Sequence, residues 1–217
     1  MPITLYYAPW SPPARAILLL IKELGLNVEL KKVDVMGGET RTEEFLKMNP
    51  QHTIPTLDDN GFCLWESRAI LAYLVEAYFN GHNLYPTIPR ERANINRVLH
   101  HDLTSFYENT IRQIVPILRR ETTVFSEEMK SSIHEALKKL ELFLVRNDWF
   151  AGENLTIADI SLVPTIAALV SFGINLSSYP RLAEWFKNCK VLKGFEDDQV
   201  FAQEIAGYFK TLVTEGL

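Results

Sequence analysis

The pattern of the sequence changes once along the chain, between Gly81 and Pro89, and this change limits the possible folds most. Before it, strand-like segments alternate with helix-like segments, whereas the patterned segments after it all have helical spacing. Strands mixed with helices predict a small α/β sheet, and a run of helices alone predicts a separate helical unit. The sequence therefore predicts an α/β domain over residues 1–81 and an all-α domain over residues 90–217.

The first domain is predicted to have the element order β-α-β-α-β-β-α. Ser11-Pro12-Pro13 marks a helix start after a short strand of β-branched and aromatic residues. Asn60-Gly61 between two apolar runs is the strongest short-range signal for a β-hairpin. The predicted elements are residues 3–7, 14–24, 28–33, 43–48, 56–58, 62–65 and 67–78.

The second domain shows helical patterns alone. They cover residues 90–120, 127–146, 156–171 and 180–190. Pro116 is expected to kink the first of these helices, because proline removes a backbone hydrogen bond. Thr156 and Asp159 have the spacing of a capping box, which favours a role in folding rather than in chemistry.

The composition argues against several classes of protein. The net charge is -5, whereas nucleic-acid binders usually carry a clustered positive surface. The N-terminal residues do not have the pattern of a secretory leader, and the apolar runs are too short to span a bilayer. We therefore expect a cytoplasmic protein that binds neither nucleic acid nor membrane.

Cysteine and histidine spacing predicts no metal site. Cys63 and Cys189 are the only cysteines, which is too few for a disulfide framework or a cysteine-based metal site. Both lie in apolar segments, so we expect buried, unreactive thiols. His100 and His101 are adjacent on a predicted helix and would point about 100° apart, which makes a poor chelate.

Four short segments connect the chain to a known family. They are residues 10–15 (WSPPAR), 49–55 (NPQHTIP), 66–70 (ESRAI) and 150–159 (FAG through LTIAD). In this order and with these gaps, the chain resembles the cytosolic glutathione transferases over nearly its whole length, with features similar to the insect delta and epsilon classes. The resemblance implies a thioredoxin-like N-terminal domain, an all-α C-terminal domain, and glutathione as a co-substrate without any further cofactor.

Ser11 is the candidate catalytic residue. It lies where a strand ends and a helix begins, so its hydroxyl and nearby backbone N–H groups could point at one anion. Lowering a thiol pKa from about 8.5 to about 6.5 requires about 2.7 kcal/mol of preferential thiolate stabilisation. Ser-Pro is also a common helix start, so a plain N-cap is the alternative, and the two roles compete for one hydroxyl. The resemblance favours stabilisation of the glutathione thiolate.

The turn at Ser11 also separates two kinds of thiol chemistry. A thioredoxin-like protein that exchanges disulfides needs a cysteine at this strand-to-helix turn, and the turn here has serine. Serine cannot form a mixed disulfide, so a protein-disulfide reductase is disfavoured.

The resemblance implies a glutathione site in the first domain. Ile54 would precede a cis Pro55 and pair through its backbone with the cysteinyl part of the tripeptide, as a strand added at an exposed edge. Ser67 would bind the γ-glutamyl carboxylate at a helix start, with Glu66 at the ammonium. His52 and Arg68 would face the glycyl carboxylate. The full predicted set is His52, Thr53, Ile54, Pro55, Glu66, Ser67 and Arg68.

Plainer interpretations of the same residues remain open. Glu66 and Ser67 also fit ordinary N-terminal helix chemistry, and His52 fits a solvated loop histidine. Relatives of this kind often carry a polar glutathione ligand near Thr40, and threonine at this position leaves that contact open.

The second substrate is expected to meet an apolar wall. Tyr107, Ile111, Ile114 and Leu118 have the spacing of one face of the helix predicted over residues 90–120. Such a stripe usually belongs to the core, but the resemblance places this helix over the active site. The predicted pocket is Trp10, Pro13, Met36, Tyr107, Ile111, Ile114 and Leu118, to which Phe201 or Tyr208 could add.

The predicted function is therefore conjugation of glutathione to hydrophobic electrophiles. Peroxidase, isomerase or dehydrochlorinase activity would use the same thiolate, and a role in detoxification is typical of the family. The alternative is a non-catalytic protein of the same fold that binds glutathione or apolar ligands. The resemblance also implies a homodimer, with Arg68, Tyr73 and the helix from Arg90 near the two-fold axis.

Overall fold

The computed structural model describes residues 3–215, which form an α/β unit followed by a helical unit. The first unit comprises β1 (Ile3–Tyr7), α1 (Pro12–Leu24), β2 (Val28–Lys32), α2 (Glu43–Met48), β3 (Thr56–Asp59), β4 (Phe62–Trp65) and α3 (Ser67–Tyr78). The second comprises α4 (Pro89–His101), α5 (Ile111–Leu118), α6 (Glu127–Phe143), α7 (Ile157–Ser171), α8 (Pro180–Asn188) and α9 (Phe195–Leu212). The predicted fold class and element order of the first domain are confirmed.

The sheet is mixed and has the order β2-β1-β3-β4. β1 runs parallel to β2, with Ile3 opposite Val28, and antiparallel to β3, with Leu5 opposite Leu57. The β3–β4 hairpin turns at Asn60, whose φ of 54° and whose glycine neighbour fit the predicted turn. Because β1 is central, the chain that leaves its end at Tyr7 enters α1 over the middle of the sheet.

α1 is the helix that connects the sheet to the second unit. Gly25 ends it with a left-handed φ of 65°, as predicted for a C-cap. One side of α1 packs with α3 over the sheet, and the other side packs against α7. Apolar side chains such as Ile17 and Leu20 are fully buried between these layers. The helix that begins at Pro12 is therefore held by both units.

α7 is the centre of the helical unit. Every residue of its first thirteen positions, Ile157 through Leu169, is buried. The predicted capping box at its start is confirmed, since Asp159 accepts hydrogen bonds from the Thr156 N–H at 2.9 Å and hydroxyl at 3.1 Å. The Asp159 carboxyl also accepts from Trp185 Nε1 at 3.0 Å. These partners all belong to the helical unit, so the motif serves the fold.

The helix predicted over residues 90–120 is broken, which corrects the sequence interpretation. α4 ends at His101, a π-helical turn covers Asp102–Phe106, and α5 begins only at Ile111. Thr110 has non-helical dihedrals, and the Tyr107 N–H bonds to Asp102 O at 2.8 Å, five residues back. The break thus precedes Pro116, which lies inside α5. Asp102 anchors the break through long-range bonds that no local pattern reveals.

A further helix was missed altogether. α9 covers Phe195–Leu212 and begins with the acidic residues Glu196, Asp197 and Asp198, which suit a helix N-terminus. Its buried residues include Ala202, Ala206 and Phe209, a spacing that could have indicated the helix.

None of the described helices is long and apolar enough to cross a membrane. No group of three His, Cys, Asp or Glu side chains within the described part of the chain is arranged to hold a metal ion.

Burial raises the pKa of the Cys189 thiol and, to a smaller degree, that of Cys63, so both are weak nucleophiles.

Candidate active site

Ser11 lies at the junction of β1 and α1 and is 6% exposed. Its N–H donates to Ala8 O at 3.0 Å, which closes the turn after the strand. Its Oγ accepts a long hydrogen bond from the Ala14 N–H at 3.5 Å, so Ser11 is an N-cap. Among residues 3–215, none accepts the hydroxyl proton of Ser11. The two predicted roles are therefore compatible, because the cap uses a lone pair and leaves the proton free.

Pro12 and Pro13 change the electrostatics of this helix start. Proline has no N–H, so two of the backbone donors that a helix N-terminus normally offers are missing. The next donor, the Ala14 N–H, already faces Ser11 Oγ. The expected cluster of backbone N–H groups is thus reduced. An anion at this turn would depend mainly on the Ser11 hydroxyl and on the helix dipole.

Asn49 organises the loop that leads into β3. The side chain is fully buried, and its Nδ2 donates to Thr53 O at 3.0 Å and Thr56 Oγ1 at 2.9 Å. Its Oδ1 accepts from the Gln51 N–H at 2.9 Å. These bonds fix the backbone on both sides of Ile54. Sequence reasoning quoted Asn49 as part of a motif and gave it no role.

Ile54 and Pro55 are joined by the predicted cis peptide bond. β3 pairs with β1 on one side and with β4 on the other, so it is not an edge strand, which corrects the expectation of an exposed edge. The paired registers of β3 begin at Thr56, so the backbone of Ile54 lies outside the ladder on both sides. A peptide could pair with Ile54 itself but could not continue along β3.

Glu66 and Ser67 form the start of α3. Glu66 is exposed and has a φ of 69°, a region that costs a non-glycine residue of order 1 kcal/mol or more. The Glu66 side chain accepts no hydrogen bond from the first backbone N–H groups of α3, so it does not cap the helix. Ser67, which is 3% exposed, sits directly at these donors. The arrangement suits an anion, in contrast to a plain capped helix start.

Arg68 is held by the second unit. Its Nε and Nη2 contact Asp102 Oδ2 at 2.9 and 2.7 Å, and its Nη1 donates to Ser67 Oγ at 3.0 Å. Asp102 is fully buried and also accepts from Ser161 Oγ at 2.5 Å. Arg68 therefore sits beside Ser67 and links α3 to the break after α4 and to α7. Its predicted contact with a glycyl carboxylate, shared with His52, stays a prediction.

Tyr107 packs beside this cluster. The Arg68 guanidinium carbon lies 5.6 Å from the centre of its ring. Burial raises the pKa of the Tyr107 phenol above its ordinary value, so the hydroxyl stays neutral near pH 7.

The apolar residues predicted for the pocket divide into two groups. Trp10 is 39% and Met36 69% exposed, and Pro13, Tyr107 and Leu118 are half-buried, so ligands could touch them. Ile111 and Ile114 are 4% and 0% exposed and belong to the core, so their prediction as pocket wall is wrong. Ile111 and Ile114 lie on the face of α5 that packs into the core, and the break separates only Tyr107 from this helix. Phe201 and Tyr208 lie on α9 and are partly exposed.

A buried ion pair near Ser11 escaped the sequence analysis. Arg15, one turn beyond Ser11, is 1% exposed and lies 3.4 Å from Asp198 Oδ1. It also donates to Asp198 O at 2.9 Å and to Pro164 O at 2.6 Å. A charged residue within the apolar run from Pro12 to Ile21 was the available signal. Arg15 thereby ties the candidate catalytic helix to α7 and α9.

The sequence matches two family models in chain order. The model described as "Glutathione S-transferase, N-terminal domain" matches residues 1–76, and the one described as "Glutathione S-transferase, C-terminal domain" matches residues 96–191. A curated relative, Glutathione S-transferase D7 of Anopheles gambiae, is 42% identical over 211 residues, which cover 95% of this chain and 96% of the relative.

Solved structures of insect proteins share the fold over their full length. A delta-class glutathione transferase of Nilaparvata lugens is 36% identical, with a TM-score of 0.92 and coverage of 98% of this chain and 100% of that one. An epsilon-class glutathione S-transferase of the housefly Musca domestica is 37% identical, with a TM-score of 0.91 and coverage of 96% and 97%. The two classes indicated by the sequence motifs are thus both among the structural relatives.

Proposed function

Because the chain belongs to the glutathione S-transferase family, we propose that it joins the sulfur of glutathione to hydrophobic electrophiles, with Ser11 stabilising the thiolate. The observation that carries this proposal is a nearly buried serine at a helix start whose hydroxyl donates to no acceptor in the described residues 3–215. A buried hydroxyl without an acceptor favours an anion that can accept from it. The loss of two donors to Pro12 and Pro13 makes this hydroxyl the principal donor at the turn.

The chemistry needs one proton transfer and one bond exchange. The glutathione thiol loses its proton to solvent, because a donor at the sulfur makes the thiolate the more stable form. The sulfur electron pair then forms a bond to an electrophilic carbon, and the leaving group departs with its bonding pair. For an addition reaction, the product carbanion or enolate instead takes a proton from water. Ser11 keeps its own proton throughout and donates a hydrogen bond to the sulfur.

Glutathione would lie across the loops described above. The γ-glutamyl carboxylate would bind at Ser67 and the open N–H groups of α3, and Glu66 would pair with the ammonium. The backbone of Ile54, held by the cis Pro55, would pair with the cysteinyl part, and Thr53 and His52 would flank the glycyl end. Because Arg68 donates to Ser67 and is neutralised by Asp102, we place it at the γ-glutamyl end instead of at the glycyl carboxylate that the sequence resemblance implies.

The second substrate would contact the exposed and half-buried apolar residues of the predicted pocket. Trp10, Pro13, Met36, Tyr107 and Leu118 would supply this surface, whereas Ile111 and Ile114 belong to the core. Apolar walls favour electrophiles with hydrophobic groups.

We also propose a homodimer in the cytoplasm. Phe62 on β4 is 51% exposed and its ring lies 5.2 Å from that of Tyr73 on α3. The family resemblance implies that Tyr73 lies near a two-fold axis, and the exposed Phe62 ring adjoins it. Burial of such a pair against a second copy would remove apolar surface from water.

The decisive experiment is a titration of the enzyme-bound glutathione thiol, followed by the ultraviolet absorbance of the thiolate. In the wild type, we expect a pKa of about 6.5, and in Ser11→Ala a return to about 8.5, with a matching loss of conjugation rate. Ser126→Ala is the matched control, because Ser126 caps α6 through the Met129 N–H at 3.3 Å but lies in the helical unit.

The control should leave the thiol pKa unchanged. A bound thiol that titrates near 8.5 in the wild type would contradict the proposed catalysis. Glutathione binding without a shifted pKa and without turnover would instead identify a non-catalytic binding protein.

A further inference from the structure

Tyr107, which belongs to the proposed second-substrate surface, lies beside two guanidinium groups. The guanidinium carbon of Arg68 is 5.6 Å from the centre of its ring, and that of Arg112 is 5.8 Å from the same point. Arg112 is the second residue of α5, and its N–H donates to Tyr107 O at 3.1 Å. The break before α5 thus places the Arg112 side chain close to the Tyr107 ring.

The two guanidinium groups differ in the partners of their N–H groups. Nε and Nη2 of Arg68 contact Asp102, and its Nη1 donates to Ser67 Oγ, so the charge of Arg68 is already neutralised. Arg112 has a single acidic contact, from its Nε to Glu108 Oε1 at 3.5 Å. Within residues 3–215, no acceptor takes a hydrogen bond from Nη1 or Nη2 of Arg112. Arg112 is therefore the one of the two that can bind a further anion.

The contact with Glu108 does not prevent this. The side chains of Arg112 and Glu108 are 55% and 48% exposed, so water and salt screen their attraction. Contact with an aromatic ring uses the face of a guanidinium and leaves its N–H edge open. That edge matches the two oxygens of a carboxylate. Arg112 can therefore bind a carboxylate through two nitrogens while it stays beside Tyr107.

Tyr107 offers a second donor at the same place. Its hydroxyl donates to no acceptor in the described part of the chain, and burial raises the pKa of the phenol, so it keeps its proton near pH 7. A neutral O–H beside a cationic N–H edge favours an anionic ligand. Because about half of the Arg112 side chain remains in water, a carboxylate bound to it would keep part of its hydration.

We propose that Arg112 and Tyr107 select second substrates in which the apolar electrophile carries a carboxylate. Arg112 binds the carboxylate at the rim of the pocket, and the Tyr107 hydroxyl donates to it from the wall. The inference rests on the proposed transferase function and names the substrate class of its second site. The carboxylate takes no part in the bond exchange, so Arg112 should lower KM and leave kcat nearly unchanged.

The test compares 4-chloro-3-nitrobenzoate with 4-chloro-3-nitrobenzamide, which have similar shapes and differ in charge. In both reactions the glutathione sulfur forms a bond to the ring carbon, and chloride leaves with its bonding electron pair. The KM values of the two electrophiles are compared in the full chain. We expect KM to be about tenfold lower for the benzoate, because only the carboxylate accepts charge-assisted hydrogen bonds from Arg112.

A second measurement does not depend on turnover. The two products, which are S-aryl glutathiones with a carboxylate or an amide on the ring, are titrated into the full chain by calorimetry. The carboxylate product should bind about tenfold more tightly than the amide product. High salt should reduce this preference, because Arg112 is half exposed.

Substitutions identify the residues responsible. Arg112→Gln should abolish the preference and leave the affinity for the amide product unchanged, whereas Arg112→Lys should retain part of the preference. Glu108→Gln removes the competing acid and should increase the preference about threefold. Arg97→Gln is the matched control, because Arg97 lies on α4 with its guanidinium carbon 5.2 Å from the Phe143 ring, outside the predicted pocket. It should leave the preference unchanged.

Three results would overturn the proposal. They are equal affinity of the wild type for the two products, a preference that persists in Arg112→Gln, and an equal loss of affinity for both products in that variant. A failure of the proposed catalysis alone would appear separately, as an unshifted thiol pKa in the Ser11 titration while the carboxylate product is still preferred. Failure of both products to bind would overturn both proposals.

Discussion

The fold uses one part of the Ser11 hydroxyl group. The oxygen lone pair accepts the Ala14 N–H, and no acceptor among residues 3–215 takes the proton. Pro12 and Pro13 preset the helical backbone and at the same time remove competing donors. The position of Ser11 as the N-cap of α1 could be predicted from its Ser-Pro-Pro motif. The direction of its hydrogen bonds could not, because it depends on atoms placed by the folded turn.

Asn49 provides a test of how far one buried side chain positions the candidate glutathione loop. Asn49→Ala would leave the Gln51 N–H without its present acceptor and would remove one of two donors from the Thr53 carbonyl, which keeps the Thr56 hydroxyl. We expect the free energy of unfolding to fall by about 2–4 kcal/mol, and glutathione affinity to fall with it. Chemical denaturation and glutathione titration by calorimetry measure the two effects.

Asn109→Ala is the matched control for this substitution. Asn109 is half-buried, and its Nδ2 donates once, to Ser105 O at 2.7 Å, at the break before α5. It should cost about 1 kcal/mol of stability without weakening glutathione binding. Equal losses of affinity in the two variants would show that Asn49 has no special role in the loop.

The strands and helices differ in how well their local sequence determined them. The hairpin at Asn60-Gly61 and the capped helix α7 follow from short signals that the structure satisfies within a few residues. The break between α4 and α5 does not, because Asp102 is held by Arg68 and Ser161, which lie 34 and 59 residues away in sequence. Those contacts, rather than Pro116, decide where the helix ends.

The Asp102 cluster should therefore stabilise three elements together. Asp102→Asn keeps the shape of the side chain but leaves the nearly buried Arg68 without its countercharge. We expect a loss of about 3 kcal/mol in the free energy of unfolding, measured by urea denaturation. Asp197→Asn, which breaks the half-exposed pair with Lys22, should cost at most about 1 kcal/mol. A loss at Asp102 no larger than that at Asp197 would contradict this account.

The two units of the molecule are joined through α1, α7 and α9. The division near Gly81 to Pro89 was visible in the sequence as a change of pattern. The contacts across it were not, since Arg15 meets carbonyl oxygens of Pro164 and Asp198 that any residue type could have offered. Long-range contacts of this kind determine how the helices pack against one another, and local sequence patterns do not reveal them.

Asp198 makes the stability of the joined units depend on pH. Burial raises its pKa from 3.8 to about 6, against the opposing effect of Arg15. Between these values the folded chain retains a proton that the unfolded chain has lost, so stability falls as the pH rises through this window. Relative to Asp198→Asn, the free energy of unfolding of the wild type should fall by about 2–3 kcal/mol between about pH 4 and pH 6. Above about pH 6 this difference should stay constant.

Urea denaturation of both proteins across this range measures the difference, in which the contributions of the other carboxylates cancel. A difference between the two proteins that stays constant with pH, or one that grows in favour of the wild type, would contradict the assignment.

Arg15 also limits how substrates can reach Ser11. A hinge motion that separated the two units would break the bonds of Arg15 to α7 and α9. The guanidinium would then be left in an apolar interior without hydrogen-bond acceptors. Movement of surface side chains and loops, such as the segment that carries the largely exposed Met36, demands no such loss. Substrate entry and product release would then depend on movements of these surface side chains and loops, while the packed helices beneath them stay rigid. The turnover rate would follow the mobility of the segment that carries Met36.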